Sequence, residues 1–211
     1  MAELKCKDIT KKYSDGRGIE NFSFEISDGS FTVVSDGGQN RNEALFRLMS
    51  GLEKASSGEV MIGGRIVNSI ETSKRNLALV FRKCTLYPHL TVYENIALCL
   101  KLQHFNGDEK QKILSSAQNF SFENSIHKKP SELSREQLIL SELGRVSVTN
   151  PDAVLMLDPL KGLDDELQCE IKKEISKLYF MLGTTFVYFT NDIRFEGAFG
   201  TNEVKLLSVC Q

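Results

Sequence analysis

Residues 31–53, FTVVSDGGQNRNEALFRLMSGLE, carry the strongest local structural pattern of the chain. Its first five residues, Phe31 to Ser35, are rich in β-branched side chains and predict a strand, which the following Asp-Gly-Gly breaks. From Glu43 to Leu52 the apolar residues recur at helical spacing. A strand, a glycine turn and a helix in that order predict a βα unit.

Outward from this unit, the chain alternates between strand-rich and helix-rich regions. Two further apolar runs, Ala153 to Leu157 and Thr185 to Thr190, flank a helical pattern from Asp164 to Leu182. Their near-continuous apolar character is typical of parallel strands buried on both faces. The pattern turns mostly helical from about Thr91 to Val148. We therefore predict an α/β core with a helical insertion.

Composition sets the broad class of protein. The chain has 211 residues, 41% hydrophobic and 26% charged, with a formal net charge of -2. This is an ordinary globular profile, and it gives no indication of a nucleic-acid partner. Five scattered cysteines without metal-binding spacing predict reduced thiols in a cytosolic protein, and no metal site. Neither a signal peptide nor a run of about 18 apolar residues is present, so any membrane role would require a membrane-embedded partner.

With its flanks, the stretch at residues 31–53 resembles the phosphate-binding region of ABC transporter ATP-binding domains. The resemblance extends from Leu4 to about Leu207. It implies a P-loop NTPase-like core with a mostly parallel sheet, an N-terminal antiparallel β subdomain and a helical subdomain. The boundaries it implies are 1–82 and 149–211 for the α/β core with its β subdomain, and 83–148 for the helical subdomain.

In that family the loop cradles phosphates with backbone N–H groups, neutralises them with a lysine and holds Mg²⁺ through a hydroxyl residue. Here Asn42 stands at the lysine, and Glu43 and Ala44 stand at the hydroxyl residues. The nucleotide-binding positions that the resemblance implies are Tyr13 (stacking on adenine), Gly37, Gly38, Gln39, Asn40, Arg41, Asn42, Glu43 and Ala44. Two purely structural alternatives stay open: the loop is only a tight turn, and Tyr13 is only a core or surface residue.

Electrostatics gives the size of the expected loss in ATP affinity. A unit charge at about 4 Å contributes roughly 4 kcal/mol at an effective dielectric constant of about 20. Micromolar affinity corresponds to about 8 kcal/mol, so losing half of it leaves roughly millimolar binding. Loss of the lysine removes one favourable charge interaction with the phosphates, and gain of Glu43 adds an unfavourable one. Arg41 offsets part of this loss. We therefore expect ATP and Mg²⁺ to bind weakly.

A second segment, RNLALVFRKCTLYPHLTVYENIALCLKL at residues 75–102, resembles the sugar-importer branch of the family. Arg82 replaces the glutamine that contacts Mg²⁺ and the attacking water there, and a cation cannot coordinate a metal ion. The resemblance implies that this segment docks on a transmembrane permease through Leu86, Tyr87, Pro88, Tyr93, Glu94 and Asn95. The alternative is an aromatic-rich loop followed by a helix that starts at Thr91 or Val92.

A third segment, LSREQ at residues 133–137, falls on the family signature that caps the nucleotide of a second subunit. Arg135 and Glu136 stand at its glycines and block the close backbone approach. The resemblance implies dimer contacts through Ser134, Gln137 and Asp164. Ser134 and Gln137 also have the spacing of a capping box, so helix initiation alone accounts for them.

The remaining catalytic positions are changed as well. In VLMLDPLKGLD, residues 154–164, Leu157 takes the metal position and Asp158 the general-base position, where its shorter side chain makes it a weak candidate. Asn191 stands at the histidine that touches the γ-phosphate. Seven sites that should contact phosphate, metal or the attacking water differ from the family pattern, whereas the packing and docking segments match it. These sites are Asn42, Glu43, Arg82, Arg135 with Glu136, Leu157, Asp158 and Asn191.

Three interpretations follow. The first is a hydrolysis-impaired pseudo-ATPase, peripheral on the cytoplasmic face of the membrane. It would dock on permease subunits or pair, as a homodimer or heterodimer, with an ABC ATPase subunit. The second is a slow Mg-ATPase that uses Asp158 and energises solute import. The third is a scaffold that retains the fold outside transport. The retained LYPHLTVYENIA segment at residues 86–97 favours the first.

Overall fold

A computed structural model describes residues 2–13, 18–35 and 41–192, and the backbone of residues 207–208. Its strands are β1 Leu4–Lys12, β2 Gly18–Ile26, β3 Phe31–Ser35, β4 Ser57–Ile62, β5 Arg65–Ile66, β6 Leu77–Phe81, β7 Ala153–Leu157, β8 Thr185–Phe189 and β9 Leu207–Ser208. Its helices are α1 Arg41–Ser50, α2 Val92–Leu102, α3 Glu109–Asn119, α4 Arg135–Ser147 and α5 Asp165–Leu182.

A five-stranded sheet with the order β6-β7-β8-β3-β9 forms the α/β core. Strands β3 and β7 both pair in parallel with β8, in a register that sets Phe31 opposite Phe186 and Ala153 opposite Thr185. Every side chain of β3 and β8 is buried. The prediction of a mostly parallel sheet, drawn from the apolar runs, is confirmed.

A four-stranded antiparallel sheet with the order β2-β1-β4-β5 is built from the first third of the chain. Strand β1 pairs with β2 on one side and β4 on the other, with Leu4 opposite Ile26 and Ile62. This sheet confirms the predicted N-terminal antiparallel β subdomain, and with the parallel sheet and the helices it confirms the predicted fold class.

Helix α1 follows β3 and packs on the parallel sheet. Phe46 meets Phe189 edge-to-face, with ring centroids 5.8 Å apart. The helix ends at Ser50 rather than at the predicted Leu52, because Gly51 turns the chain with φ of 79°. The buried guanidinium of Arg75 then donates from Nη1 to the carbonyl oxygens of Leu48 and Met49, at 3.0 and 2.8 Å. A cation at this end also complements the helix dipole.

By compactness the described residues fall into two units. The first is drawn from residues 1–79, 151–158 and 183–211, and the second from residues 80–150 and 159–182. The second unit contains α2 to α5, so it includes α5, which the division at 83–148 leaves with the α/β core. None of the helices in the described part of the chain is long and apolar enough to cross a membrane.

Candidate functional site

The expected phosphate loop is only partly described. Gly37, Gly38, Gln39 and Asn40 lie outside the described residues, whereas Arg41 to Ala44 form the first turn of α1. Asn42 and Ala44 are buried, and Glu43 is exposed. The described end of the loop therefore offers one half-buried guanidinium, that of Arg41, one buried neutral amide and one exposed carboxylate.

The structure brings Asn42 and Asn191 together. Nδ2 of Asn42 donates a hydrogen bond to Oδ1 of Asn191 at 2.9 Å, and another to the carbonyl oxygen of Thr190. The topology causes this meeting: β3 and β8 are parallel neighbours, so the residues after both strands meet at one edge of the sheet. The Thr190 N–H completes the link by donating to Val34 at 3.0 Å. Two positions expected to contact phosphate are thus bonded to each other.

Asp158 directly follows β7 at the same edge of the parallel sheet. Its backbone is left-handed, with φ of 45°, and its N–H donates to the carbonyl of Phe189 at 3.0 Å. Leu157 precedes it, opposite Phe189 in the strand register, and its aliphatic side chain supplies no metal ligand. Within the described ranges, no group of three or more His, Cys, Asp or Glu residues is placed to hold a metal ion.

Tyr13 belongs to a polar cluster next to the antiparallel sheet. Its hydroxyl donates to Oε2 of Glu53 at 2.7 Å, and Nζ of Lys11 lies 5.4 Å from its ring centroid. Arg47 links Glu53 to Glu43 through ion pairs of 3.3 and 3.1 Å. Burial, and then the bond to Glu53, raise the pKa of Tyr13 to about 12. The phenol is therefore a fixed neutral donor at physiological pH.

The expected docking segment lies in the second unit, and its six predicted residues divide into two kinds. Tyr87 and Pro88 are exposed, as is the neighbouring His89, and Tyr93 is half-buried. Leu86 and Asn95 are buried. Glu94 is exposed, but its carboxylate accepts from the N–H of Thr91 at 2.7 Å, in a capping box that starts α2 at Val92. The exposed tip of this segment is therefore Tyr87 to His89.

Buried polar side chains shape this tip from inside. Oδ1 of Asn95 accepts from the N–H of Tyr87 at 2.7 Å. Its Nδ2 lies 2.9 to 3.3 Å from the carbonyl oxygens of Tyr87, Leu90 and Thr91. This one amide therefore bonds to three residues of the turn that carries the exposed tip.

A second buried group, Glu142 on α4, was missed by the sequence reasoning. Its Oε1 accepts from the backbone N–H and the hydroxyl of Thr85, at 2.5 and 2.8 Å. Arg145 donates to the hydroxyl and carbonyl oxygens of Thr85, at 2.6 and 3.1 Å. Burial raises the pKa of Glu142, against the lowering effect of the Thr85 and Arg145 contacts. A signal was available, since Glu142 interrupts the apolar residues Ile139, Leu143 and Val146.

The residues predicted for the dimer contact make hydrogen bonds that cap their own helices. Ser134 and Gln137 form the predicted capping box of α4, each bonding to the backbone N–H of the other. Asp164 caps α5 by accepting from the N–H of Leu167 at 2.9 Å. The exposed Arg135 donates from Nη2 to the carbonyl of Lys161 at 2.6 Å. Arg82 is exposed.

Comparisons with known proteins agree with this architecture. The family model described as ABC transporter matches residues 44–161, more than half of the chain. The osmoprotective compounds uptake ATP-binding protein GgtA of Synechocystis is 41% identical over 194 residues, which cover 91% of this chain and 53% of GgtA. The sn-glycerol-3-phosphate import ATP-binding protein UgpC of Cereibacter sphaeroides is 36% identical, covering 91% and 55%. The chain spans about half the length of the curated relatives it matches.

Solved structures give the same result. A dimeric ATP-binding cassette in a post-hydrolysis state, bound to ADP and Pi, superimposes with a TM-score of 0.77 at 25% identity, covering 90% of this chain and 89% of that one. A nucleotide-free cassette of an ABC transporter superimposes with a TM-score of 0.78 at 19% identity, covering 99% and 88%. The second likeness bears on the fold alone.

Proposed function

The chain belongs to the ABC transporter family, and from that premise we propose that it is a hydrolysis-impaired ATP-binding-type subunit of a solute importer. It works on the cytoplasmic face of the membrane, docked to transmembrane permease subunits. The matched importers take up osmoprotective compounds and sn-glycerol-3-phosphate, and we place the substrate of this chain in the same broad class of sugars and osmolytes. Its dimer partner is a second ABC ATPase-type subunit.

The observation that carries the impairment is the bond between Asn42 and Asn191. In the family a triphosphate is held by a cation at the position of Asn42 and by free donors at the start of α1, and the positive charge of Arg41 lies one residue before that position. Asn42 is neutral, 2% exposed, and its amide hydrogens point to Thr190 and Asn191. Glu43 adds a negative charge on the next residue, and Leu157 supplies no ligand for Mg²⁺. The described residues therefore do not fit Mg-ATP, and we derive no hydrolytic step.

The docking part of the proposal is supported by the tip at Tyr87 to His89. Tyr87 is 48% exposed although it is a large amphipathic side chain, and Pro88 and His89 beside it are also exposed. Tyrosine is enriched at protein interfaces, where its ring is buried and its hydroxyl finds a partner. The tip is also fixed by Asn95, so it can bind without first being ordered.

The deciding experiment is a calorimetric titration of the purified chain with ATP, with and without Mg²⁺. We expect no binding heat below about millimolar ATP, because half of a micromolar binding energy is lost with the lysine charge and the added carboxylate. Micromolar binding that depends on Mg²⁺ would contradict the proposal and favour the slow Mg-ATPase.

A substitution separates the same two functions. Asn42→Lys restores the family's cation, and Asn124→Lys adds the same charge at an exposed asparagine. We expect phosphate release from both variants to stay at background, because Glu43, Leu157 and Asn191 are unchanged and residues that act as a unit are not rescued singly. Turnover that rises in Asn42→Lys alone would identify an enzyme with an unusual site.

A further inference from the structure

The second unit contains a buried carboxylate that the proposed function does not yet use. Glu142 is 1% exposed, and its Oε1 accepts two hydrogen bonds from a single residue, Thr85. Nη2 of Arg145 lies 3.7 Å from the same oxygen and also reaches the Thr85 hydroxyl. Three residues thus form one network, in which two side chains of α4 hold one residue of the loop before α2.

This network costs more desolvation free energy than an apolar side chain would at the same helix position. A buried charge is unfavourable unless it is paired and hydrogen-bonded, and a well-packed apolar residue is often as stable as a buried ion pair. Here Glu142 accepts from the backbone N–H of Thr85, and Arg145 donates to the backbone carbonyl of Thr85, so both charged side chains are bonded to the loop backbone. What the network provides beyond stability is therefore a defined place for the Thr85 backbone.

Thr85 lies two residues before the exposed tip, and Asn95 fixes the tip from its other side. Leu86, between Thr85 and Tyr87, is buried and anchors the chain. The N–H groups of Thr85 and Tyr87 are therefore both bonded to buried side chains, Glu142 and Asn95 respectively. Tyr87, Pro88 and His89 project from a segment that is held at both ends.

We propose that Glu142 and Arg145 are positioning residues for docking: they hold Thr85 so that the Tyr87–His89 tip meets its membrane partner preformed. The inference rests on the proposed docking function and adds to it the residues that set the tip. Preformed tips bind more tightly because the cost of ordering is removed from the binding step. Neither Glu142 nor Arg145 needs to touch the partner.

The first test is amide hydrogen exchange, which needs no partner. Glu142→Ala removes the acceptor of the Thr85 N–H, and we expect exchange at Thr85 and Tyr87 to rise by about tenfold or more. Glu142→Gln keeps an acceptor oxygen, so it restores most of the protection. The matched control is Ser141→Ala, a buried neighbour whose hydroxyl bonds to Gln137 within α4. Exchange that rises equally at Val187 in β8 would show general destabilisation and overturn the proposal.

The second test measures docking. We would immobilise the chain through its N-terminus and measure, by biolayer interferometry, its binding to the transmembrane subunits of an sn-glycerol-3-phosphate importer in nanodiscs, with and without Glu142→Ala. Empty nanodiscs are the control. We expect Glu142→Ala to weaken binding by about tenfold and Glu142→Gln by less.

The two tests fail independently. If the unmodified tip does not bind the nanodisc, the docking function fails, and the exchange data still decide whether Glu142 positions Thr85. If the tip binds and Glu142→Ala binds equally well, docking stands and the positioning role is wrong.

Discussion

Two regions that the sequence marks for function differ in how they use their polar groups. Where α1 begins and β8 ends, Asn42 donates to Thr190 and Asn191, so candidate site residues bond to one another. In the loop before α2, the buried Asn95 and Glu142 bond to the loop backbone and leave Tyr87 exposed. We call the first region closed because its described polar side chains bond to one another, and the second open because they bond to the loop backbone while Tyr87 stays exposed.

Nucleotide binding and docking place different requirements on the residues of a motif. A nucleotide site needs free donors aimed at the ligand, because pre-aligned dipoles supply most of its binding and catalytic energy. A docking site needs an exposed, rigid surface. The same fold can therefore lose one requirement and keep the other, since the residues that satisfy each belong to different segments of the chain.

Asn95→Ala should have the largest effect on stability. The change leaves the partly buried N–H of Tyr87 and the carbonyls near it without their partner, at a cost of about 3 kcal/mol. Urea unfolding measures the loss, and Asn124→Ala at an exposed asparagine is the control. A loss within about 0.5 kcal/mol of the control would mean that Asn95 does not hold the tip, and the contrast between the two regions would fail.

The Asn42–Asn191 pair should show a moderate coupling. In a double-mutant cycle with Asn42→Ala and Asn191→Ala, we expect an interaction free energy of about 1 kcal/mol, the usual net value of a hydrogen bond. Asn42→Ala alone should cost about 2 kcal/mol, since it also leaves the Thr190 carbonyl without this donor. Additive losses would show that the two residues act separately and that the closed site needs another explanation.

Ser134→Ala should cost about 1 kcal/mol of stability, the typical value of an N-cap. Ser134 accepts from the Gln137 N–H at 3.2 Å, and Ser134→Thr keeps this bond and should stay close to the parent. Thermal unfolding of the chain alone is the measurement. An unchanged stability in Ser134→Ala would remove helix capping as the reason for this residue and return it to a dimer contact.

The strands and helices could be predicted from the sequence because each of them depends on a local pattern of residues. The strand Ala153–Leu157 begins and ends as its apolar run predicted, α2 starts at Val92, one of the two predicted positions, and the predicted capping box at Ser134 is present. The end of α1 was misplaced by two residues. Its carbonyls are capped by Arg75, which lies 26 and 27 residues away in the chain, and no local pattern reports such a contact.

The site was harder to predict for the same reason. The family resemblance alone singles out Asn42 and Asn191, but their mutual bond spans 149 residues and depends on strand order. Six docking residues were predicted as one group, yet burial divides them into an exposed tip and an internal support. Glu142 was overlooked because one charged residue on an apolar helix face has no meaning until its partner, Thr85, is placed.

The smallest predicted effect concerns the thiol of Cys84 in the loop, whose reactivity depends on the charge of Glu142. Burial, and then the negative charge of Glu142, raise the pKa of Cys84 to about 11. Because the thiolate is the reactive form, only about one Cys84 in a thousand is reactive at pH 8, and alkylation should accelerate tenfold per pH unit up to about pH 11. The raised pKa means that the folded chain favours the protonated thiol, so the stability this gives is lost as pH rises through 11.

Glu142→Gln removes the carboxylate charge, so the pKa of Cys84 should fall and its alkylation at pH 8 should accelerate by about threefold, with burial keeping the rest of the shift. Site-resolved mass spectrometry supplies an internal control. Burial also raises the pKa of Cys99, but Arg145 rather than Glu142 is the charge that acts on it. A change at Cys84 with none at Cys99 shows that Glu142 is ionised and acts on the loop. Equal changes at both thiols would instead mean that the substitution loosens the packing around them, and the open region would then rest on Asn95 alone.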